Sequence, residues 1–100
     1  MNDYRLKLFI SGQNLRSRSA IKNLRHICEE ELADQCELDI IDVLEQPQEA
    51  EDEKILATPT LIKAVPTPIR RIIGDLSDKG KVLEGLDIEP RSQSSEGEAL

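Results

Sequence analysis

The sequence predicts a small α/β domain, a single sheet with helices packed against it, and three observations carry that prediction. Residues 4–10, YRLKLFI, alternate, with Leu6, Leu8 and Ile10 on one face and Arg5, Lys7 and Phe9 on the other, the period of a half-buried strand. Ala20, Ile21, Leu24, Ile27, Cys28 and Leu32 recur at three- and four-residue spacing, the stripe of an amphipathic helix. Residues 38–44, LDIIDVL, are apolar enough for a strand inside a sheet. A strand, a helix of about four turns and a second strand make a right-handed βαβ unit with parallel strands.

The elements follow in order. SGQN at 11–14 ends the first strand in a glycine-containing loop. Ser17 or Ser19 is expected to cap the helix. Cys28 lies on its apolar stripe and reads as a buried thiol acting as a small hydrophobe, while His26 lies off the stripe and reads as a surface residue. After the second strand, EQPQEAEDEK at 45–54 is polar and acidic. Pro47 suits the first turn of a short helix, with acids near its N-terminus.

From Ile55 onward the sequence supports two orders. In a strand reading, 60–65 and 69–73 form a β-hairpin around a turn at Val65–Pro68, and 75–86 form a last helix capped by Asp75 or Ser77. The whole order is then βαβαββα, that of the thioredoxin fold, in which a cis-proline precedes the third strand; Pro59 occupies that place. In a helical reading, Thr58-Pro59 and Thr67-Pro68 are each a cap followed by a first-turn proline. Ile69, Ile72, Ile73 and Leu76 match helical spacing, and Gly80 and Gly85 weaken the last helix by about 1 kcal/mol each. Residues 86–88 then end a strand, and the order is βαββααβ, with Glu53–Ala57 as the extra strand. Pro59, Pro66 and Pro68 stand at the junctions, so interchange of the two orders would be slow, X-Pro isomerisation taking tens of seconds or longer.

Composition limits function. The chain has 100 residues, enough for one domain, and its 38% hydrophobic content is almost wholly aliphatic, with one Tyr, one Phe and no Trp. The net charge of −7 disfavours nucleic acid and anionic membranes as partners. Residues 45–53 carry five acids and no base, while 54–81 carry six bases against Asp75 and Asp78; this basic middle either suits an acidic protein partner or is simply solvated. Cys28 and Cys36 are eight apart, neither a CxxC redox pair nor a zinc spacing, and fit a reducing cytoplasm. No signal peptide or membrane-span pattern is present. A thioredoxin-type oxidoreductase needs a thiol in the loop after the first strand; here that loop reads SGQNLRSRS, and Ser11 has no His near it in sequence. The chain is therefore read as a non-enzyme with no catalytic residue, metal or cofactor.

The run Lys54–Leu86, KILATPTLIKAVPTPIRRIIGDLSDKGKVLEGL, resembles the KaiB family of circadian clock proteins. IDVL at 41–44 and KILATPTL at 54–61 look like its central block, and RRIIGDLSD at 70–78 and KVLEGLDI at 81–88 like its C-terminal block. The resemblance runs from about Tyr4 to Ile88 and defines a single domain over 1–88. It implies a metamorphic protein: a resting homo-oligomer, tetramer or dimer, of βαββααβ subunits, and an active thioredoxin-like monomer. The resting order is the one expected of the isolated chain. The active form would bind the N-terminal ATPase ring of a KaiC-type ATPase and regulate its phosphorylation or output signalling, joined in the cyanobacterial clock by KaiA and output histidine kinases. After Ile88 the chain departs from the family; EPRSQSSEGEAL at 89–100 is expected to be an acidic, disordered tail, and a KaiB–KaiC system without KaiA is the matching expectation. The alternatives are a KaiC-linked stress-response regulator and a thioredoxin-like sensory domain that binds a histidine kinase. On this reading Lys54, Lys63, Arg70 and Arg71 contact an acidic partner surface. Pro59, Pro66 and Pro68 set the rate of the switch, and Gly85 and Asp87 tune which order prevails.

Overall fold

The computed structural model describes residues 3–32 and 35–88. The first strand, β1, spans Tyr4–Ile10 and hands over to helix α1, Leu15–Glu31. Asn14 caps that helix, its side chain accepting from the Ser17 amide at 2.8 Å. Ser17 and Ser19, the caps expected from sequence, lie inside the first turns; Ser17 is buried there. Strand β2, Cys36–Asp42, pairs parallel to β1 from Tyr4↔Cys36 to Ile10↔Asp42. It starts two residues before the apolar run and stops at Asp42, whose carboxylate takes the Leu44 amide into a turn. Helix α2, Pro47–Asp52, has Pro47 in its first turn and buries no residue.

The second half takes the strand reading. Strands β3, Thr60–Val65, and β4, Arg70–Ile73, form a hairpin, and α3, Lys79–Gly85, closes the chain. The order is βαβαββα, the thioredoxin-like one of the two orders that the sequence supports. The reason lies in the position of β3. The sheet order is β2-β1-β3-β4, which puts β2 at an edge and not inside the sheet as its apolar run predicts, while β3 runs antiparallel between β1 and β4 and is covered on both faces. Leu61 packs with Leu6, Leu8, Ile10, Leu24 and Leu83 on the α1 and α3 side, whereas Ile62 packs with Phe9 and Ile41 on the α2 side. A run without polar alternation suits such a central strand. Each fully buried Leu or Ile here contributes about 1.5–3 kcal/mol. The Thr58–Pro59 bond ahead of β3 is cis, as are Val65–Pro66 and Thr67–Pro68.

Helix α3 starts at Lys79 with Asp78 as its cap, accepting from the Lys81 amide at 3.1 Å. Asp75 and Ser77 are instead part of the preceding loop, because the buried Leu76 adopts φ +64, outside the helical range. Cys28 is buried in the α1-side core and His26 is exposed, as their positions on and off the stripe predict. No helix among the described residues is long and apolar enough to cross a membrane. The tail at 89–100 lies outside the described residues.

Candidate functional surface

Both short helices end in the same way; the ends hold Lys54, Gly85 and Asp87, and Lys63 and Arg71 bond to them from the hairpin. At the end of α2, the Lys54 amide donates to Glu51 O and the Ile55 amide to Ala50 O, at 3.1 and 2.9 Å. At the end of α3, the Asp87 amide donates to Glu84 O and the Ile88 amide to Leu83 O, at 3.1 and 2.8 Å. This crossed pair of bonds is the Schellman motif, whose pivot residue sits in the left-handed region and is usually Gly. Here the pivots are Lys54, φ 56, and Asp87, φ 57. A side chain in that conformation costs about 1–2 kcal/mol.

The hairpin stabilises both strained ends. Arg71 of β4 donates to Glu53 O at 3.0 Å and to Lys54 O at 3.4 Å, covering carbonyls that the end of α2 leaves without helical partners. Lys7 of β1 pairs with the Glu53 carboxylate at 3.4 Å, holding the same turn from the sheet. Lys63 of β3 is 1% exposed, and its amine donates to Asp87 O at 3.3 Å. Of the four cations expected to meet a partner, Lys54 is a helix-end pivot with an exposed side chain and Arg71 is a partly committed clamp. Lys63 is an internal strut with no surface to offer in this fold. Arg70 is exposed on the edge strand β4 and has no ion-pair partner among the described residues. Spacing along the sequence could not separate these roles, because Lys63 and Arg71 point to opposite faces of one hairpin.

The fold also assembles a pole that the sequence did not disclose. The loops after β1 and β2 and the loop before β3 meet at one end of the sheet. Asp42 joins the first two, its Oδ1 accepting from the Gly12 amide at 3.1 Å and the Leu44 amide at 2.9 Å. A charge inside the apolar run IIDVL was the available signal. Three of the large exposed hydrophobics lie at this end, Leu15 as the first residue of α1 and Leu44 and Leu56 on the loops, Leu56 at 96% exposure. In open α/β sheets ligands bind beyond the carboxyl ends of the strands. The β1–α1 loop there contains Ser11, Gly12, Gln13 and Asn14 and no thiol; Cys28 is buried in α1 and Cys36 lies at the start of β2, the far end of the sheet. No group of three or more His, Cys, Asp or Glu suited to a metal occurs among the described residues.

Helix α3 is fastened to α1 by charge. Lys79 Nζ meets the buried Glu31 carboxylate at 2.8 Å and Glu30 at 3.3 Å, and these two hydrogen bonds raise its pKa above the usual 10.5. Asp75, ahead of α3, is held below its usual 3.8 by hydrogen bonds from the Ser77 side chain and amide. Gly85 sits where an added Cβ would meet Ile72 Cδ1 at 2.7 Å.

Comparison with known proteins adds to this geometry. A family model described as KaiB domain matches residues 7–88. The chain is 59% identical over 90 residues to the circadian clock protein KaiB3 of Synechocystis sp., covering 90% of this chain and 88% of that one. It is 52% identical over 99 residues to the circadian clock oscillator protein KaiB of a Synechococcus species, covering 97% and 90%. Among solved structures, the N-terminal domain of Synechococcus elongatus SasA superposes with a TM-score of 0.70 at 25% identity, over 87% of this chain and 86% of that one. Mitochondrial thioredoxin 3 of Saccharomyces cerevisiae superposes with a TM-score of 0.68 at 18% identity, over 87% and 79%, a likeness of fold.

Proposed function

The chain belongs to the KaiB family of circadian clock proteins, and on that premise we propose that it is a non-catalytic adaptor for a KaiC-type ATPase. It regulates the phosphorylation or output signalling of that ATPase by binding in the thioredoxin-like form described above. The observation that carries the reading is a thioredoxin-like frame whose β1–α1 loop has no thiol and whose loop pole instead exposes Leu15, Leu44 and Leu56. Such a pole offers contact area and no reagent. Lys54 and Arg70 supply the cationic contacts, and Arg71 contributes through whatever donor capacity its clamp on the α2 end leaves.

We further propose a slow exchange with a βαββααβ resting homo-oligomer. What supports it is the double reading of the second half, with cap-and-proline signals at Thr58-Pro59 and Thr67-Pro68, and Pro66 between them. Gly85 and the Asp87 pivot lie at the helix end which that exchange would turn into strand. KaiA and an output histidine kinase are secondary partners on this reading, and the place of action is the cytoplasm. The test is a pull-down of a KaiC-type ATPase by the tagged chain, with ATP and without nucleotide, beside an insulin-reduction assay. Nucleotide-dependent capture and no reduction are expected; reductase activity, or failure to capture in both states, overturns the proposal.

A further inference from the structure

Strand β4 is an edge of the sheet, and the direction of its backbone groups follows from one bond. The Gly74 amide donates to Pro59 O at 3.0 Å. Pairs along an antiparallel ladder alternate between hydrogen-bonded and not, and Gly74 opposite Pro59 continues the register of Ile72↔Leu61 and Arg70↔Lys63. Arg70 and Ile72 therefore exchange their bonds with β3. The N–H and C=O of Arg71 and Ile73 point the other way, where the sheet ends.

The side chains along that free edge are apolar and basic. Ile73 lies on the α2 face and is 61% exposed, and Ile69, just before β4, is 64% exposed. Between them Arg71 turns its guanidinium inward to Glu53 O and Lys54 O. On the other face Arg70 is exposed and has no ion-pair partner among the described residues. Open backbone groups with apolar flanks make a template for another strand, and the two arginines decide which strand it is. Two copies meeting edge to edge would bring arginines together, and like charges opposite one another destabilise a strand pair. An acidic strand gains from the same positions. The chain's own residues 89–100, EPRSQSSEGEAL, contain acids but no β-branched or aromatic residue and so do not suit a strand.

We propose that β4 is a docking edge for an extended acidic segment of another protein, which adds to the sheet as one more strand. Hydrogen-bonded pairs at Arg71 and Ile73 supply four N–H···O bonds. An apolar side chain opposite Ile73 covers that residue, and a carboxylate opposite Arg70 pairs with its guanidinium. Antiparallel addition is the stronger of the two directions per residue. The site goes beyond the ATPase reading, which uses Arg70 as a cationic contact and no backbone group. It exists only while residues 70–73 are strand, so on the exchange proposed above a bound segment favours the thioredoxin-like order.

The test is amide hydrogen exchange of the full chain, read by NMR, with the capped peptide Thr-Val-Thr-Glu-Glu-Val-Thr at ~1–5 mM, the range of weak peptide binding. Exchange at Arg71 and Ile73 should slow about threefold when the peptide is at twice its Kd. Arg70 and Ile72, already bonded to β3, should not change. Arg70→Glu, with circular dichroism confirming its fold, should weaken binding of this peptide about fivefold and admit the peptide with Lys in place of Glu. No slowing at any concentration overturns the proposal, as does equal slowing at all four residues, which is not the alternation of an added strand. Undiminished binding by Arg70→Glu overturns it too. So does protection of Arg71 and Ile73 before peptide is added, which would put a second copy or residues 89–100 on the edge. No ATPase is present, so each of these failures is distinct from failure of the adaptor reading.

Discussion

Replacing Lys63 with Met separates two roles for that residue. Lys63 is 1% exposed on the central strand β3, opposite Leu6 of β1, and its one hydrogen-bond acceptor among the described residues is Asp87 O at 3.3 Å. An ammonium carries three donors, and taking one out of water costs several kcal/mol unless all are well matched. Met keeps an unbranched stem of similar volume and drops the charge. The change forgoes one charge-assisted hydrogen bond, about 1.5–3 kcal/mol. The carbonyl released belongs to Asp87, an exposed residue, so water takes over as its donor. The balance favours Met by about 1–3 kcal/mol, in line with other replacements of buried charge by apolar groups. For a domain of this size that is a rise in Tm of roughly 5–15 °C. Urea unfolding and calorimetry measure it. Lys63→Ala is the control: it removes the stem as well and should cost about 2–4 kcal/mol through the cavity left behind. A Met variant less stable than the parent by about 1 kcal/mol or more would refute the reasoning, since the amine's bond to the helix end would then outweigh its desolvation.

Gly85→Ala should strengthen α3 by up to about 1 kcal/mol, because the 2.7 Å approach is to Ile72 Cδ1, the free end of a half-buried side chain that rotates aside; unchanged urea stability, elution volume and partner capture would count against it. At Asp87, φ 57, Gly should relieve about 1 kcal/mol of backbone strain and Val should add at least as much, read from the same unfolding curves. The Lys79–Glu31 contact has a pH signature. A raised lysine pKa contributes stability that is whole below its usual 10.5 and is lost as pH climbs through the raised value. Amide exchange in α3 should therefore accelerate above pH 10.5, and Lys79→Gln should remove that alkaline step; an unchanged step in the Gln variant would place its origin elsewhere.

The first half of the fold was legible because each element there carries one period. β1 alternates, α1 carries a single stripe, and their errors are local: Asn14 took the cap from Ser17 and Ser19 because it lies one residue before the first helical turn. The second half was not, because TLIKAV and RRII satisfy a strand and a helix equally. What decides is that β1 lies beside β3, a contact between residues more than fifty apart that no local pattern contains. The same limit governed the binding surface. Lys63 and Arg71 read as surface cations from composition, and only pairing across the hairpin shows that each supports a helix end with a non-glycine pivot. The loop pole was missed for a related reason: Asp42 stood out only as a charge inside an apolar run, and its shared location with the leucines depends on three loops meeting.

The adaptor reading stands or falls on one titration, that of a fluorescently labelled chain with a KaiC-type ATPase in ATP, comparing the parent with Lys63→Met and with Lys54→Glu/Arg70→Glu. The account predicts saturable binding by the parent, binding retained in Lys63→Met because that residue is internal, and binding lost when the two exposed cations are reversed. Absence of binding by the parent, or undiminished binding by the reversed variant, would contradict it.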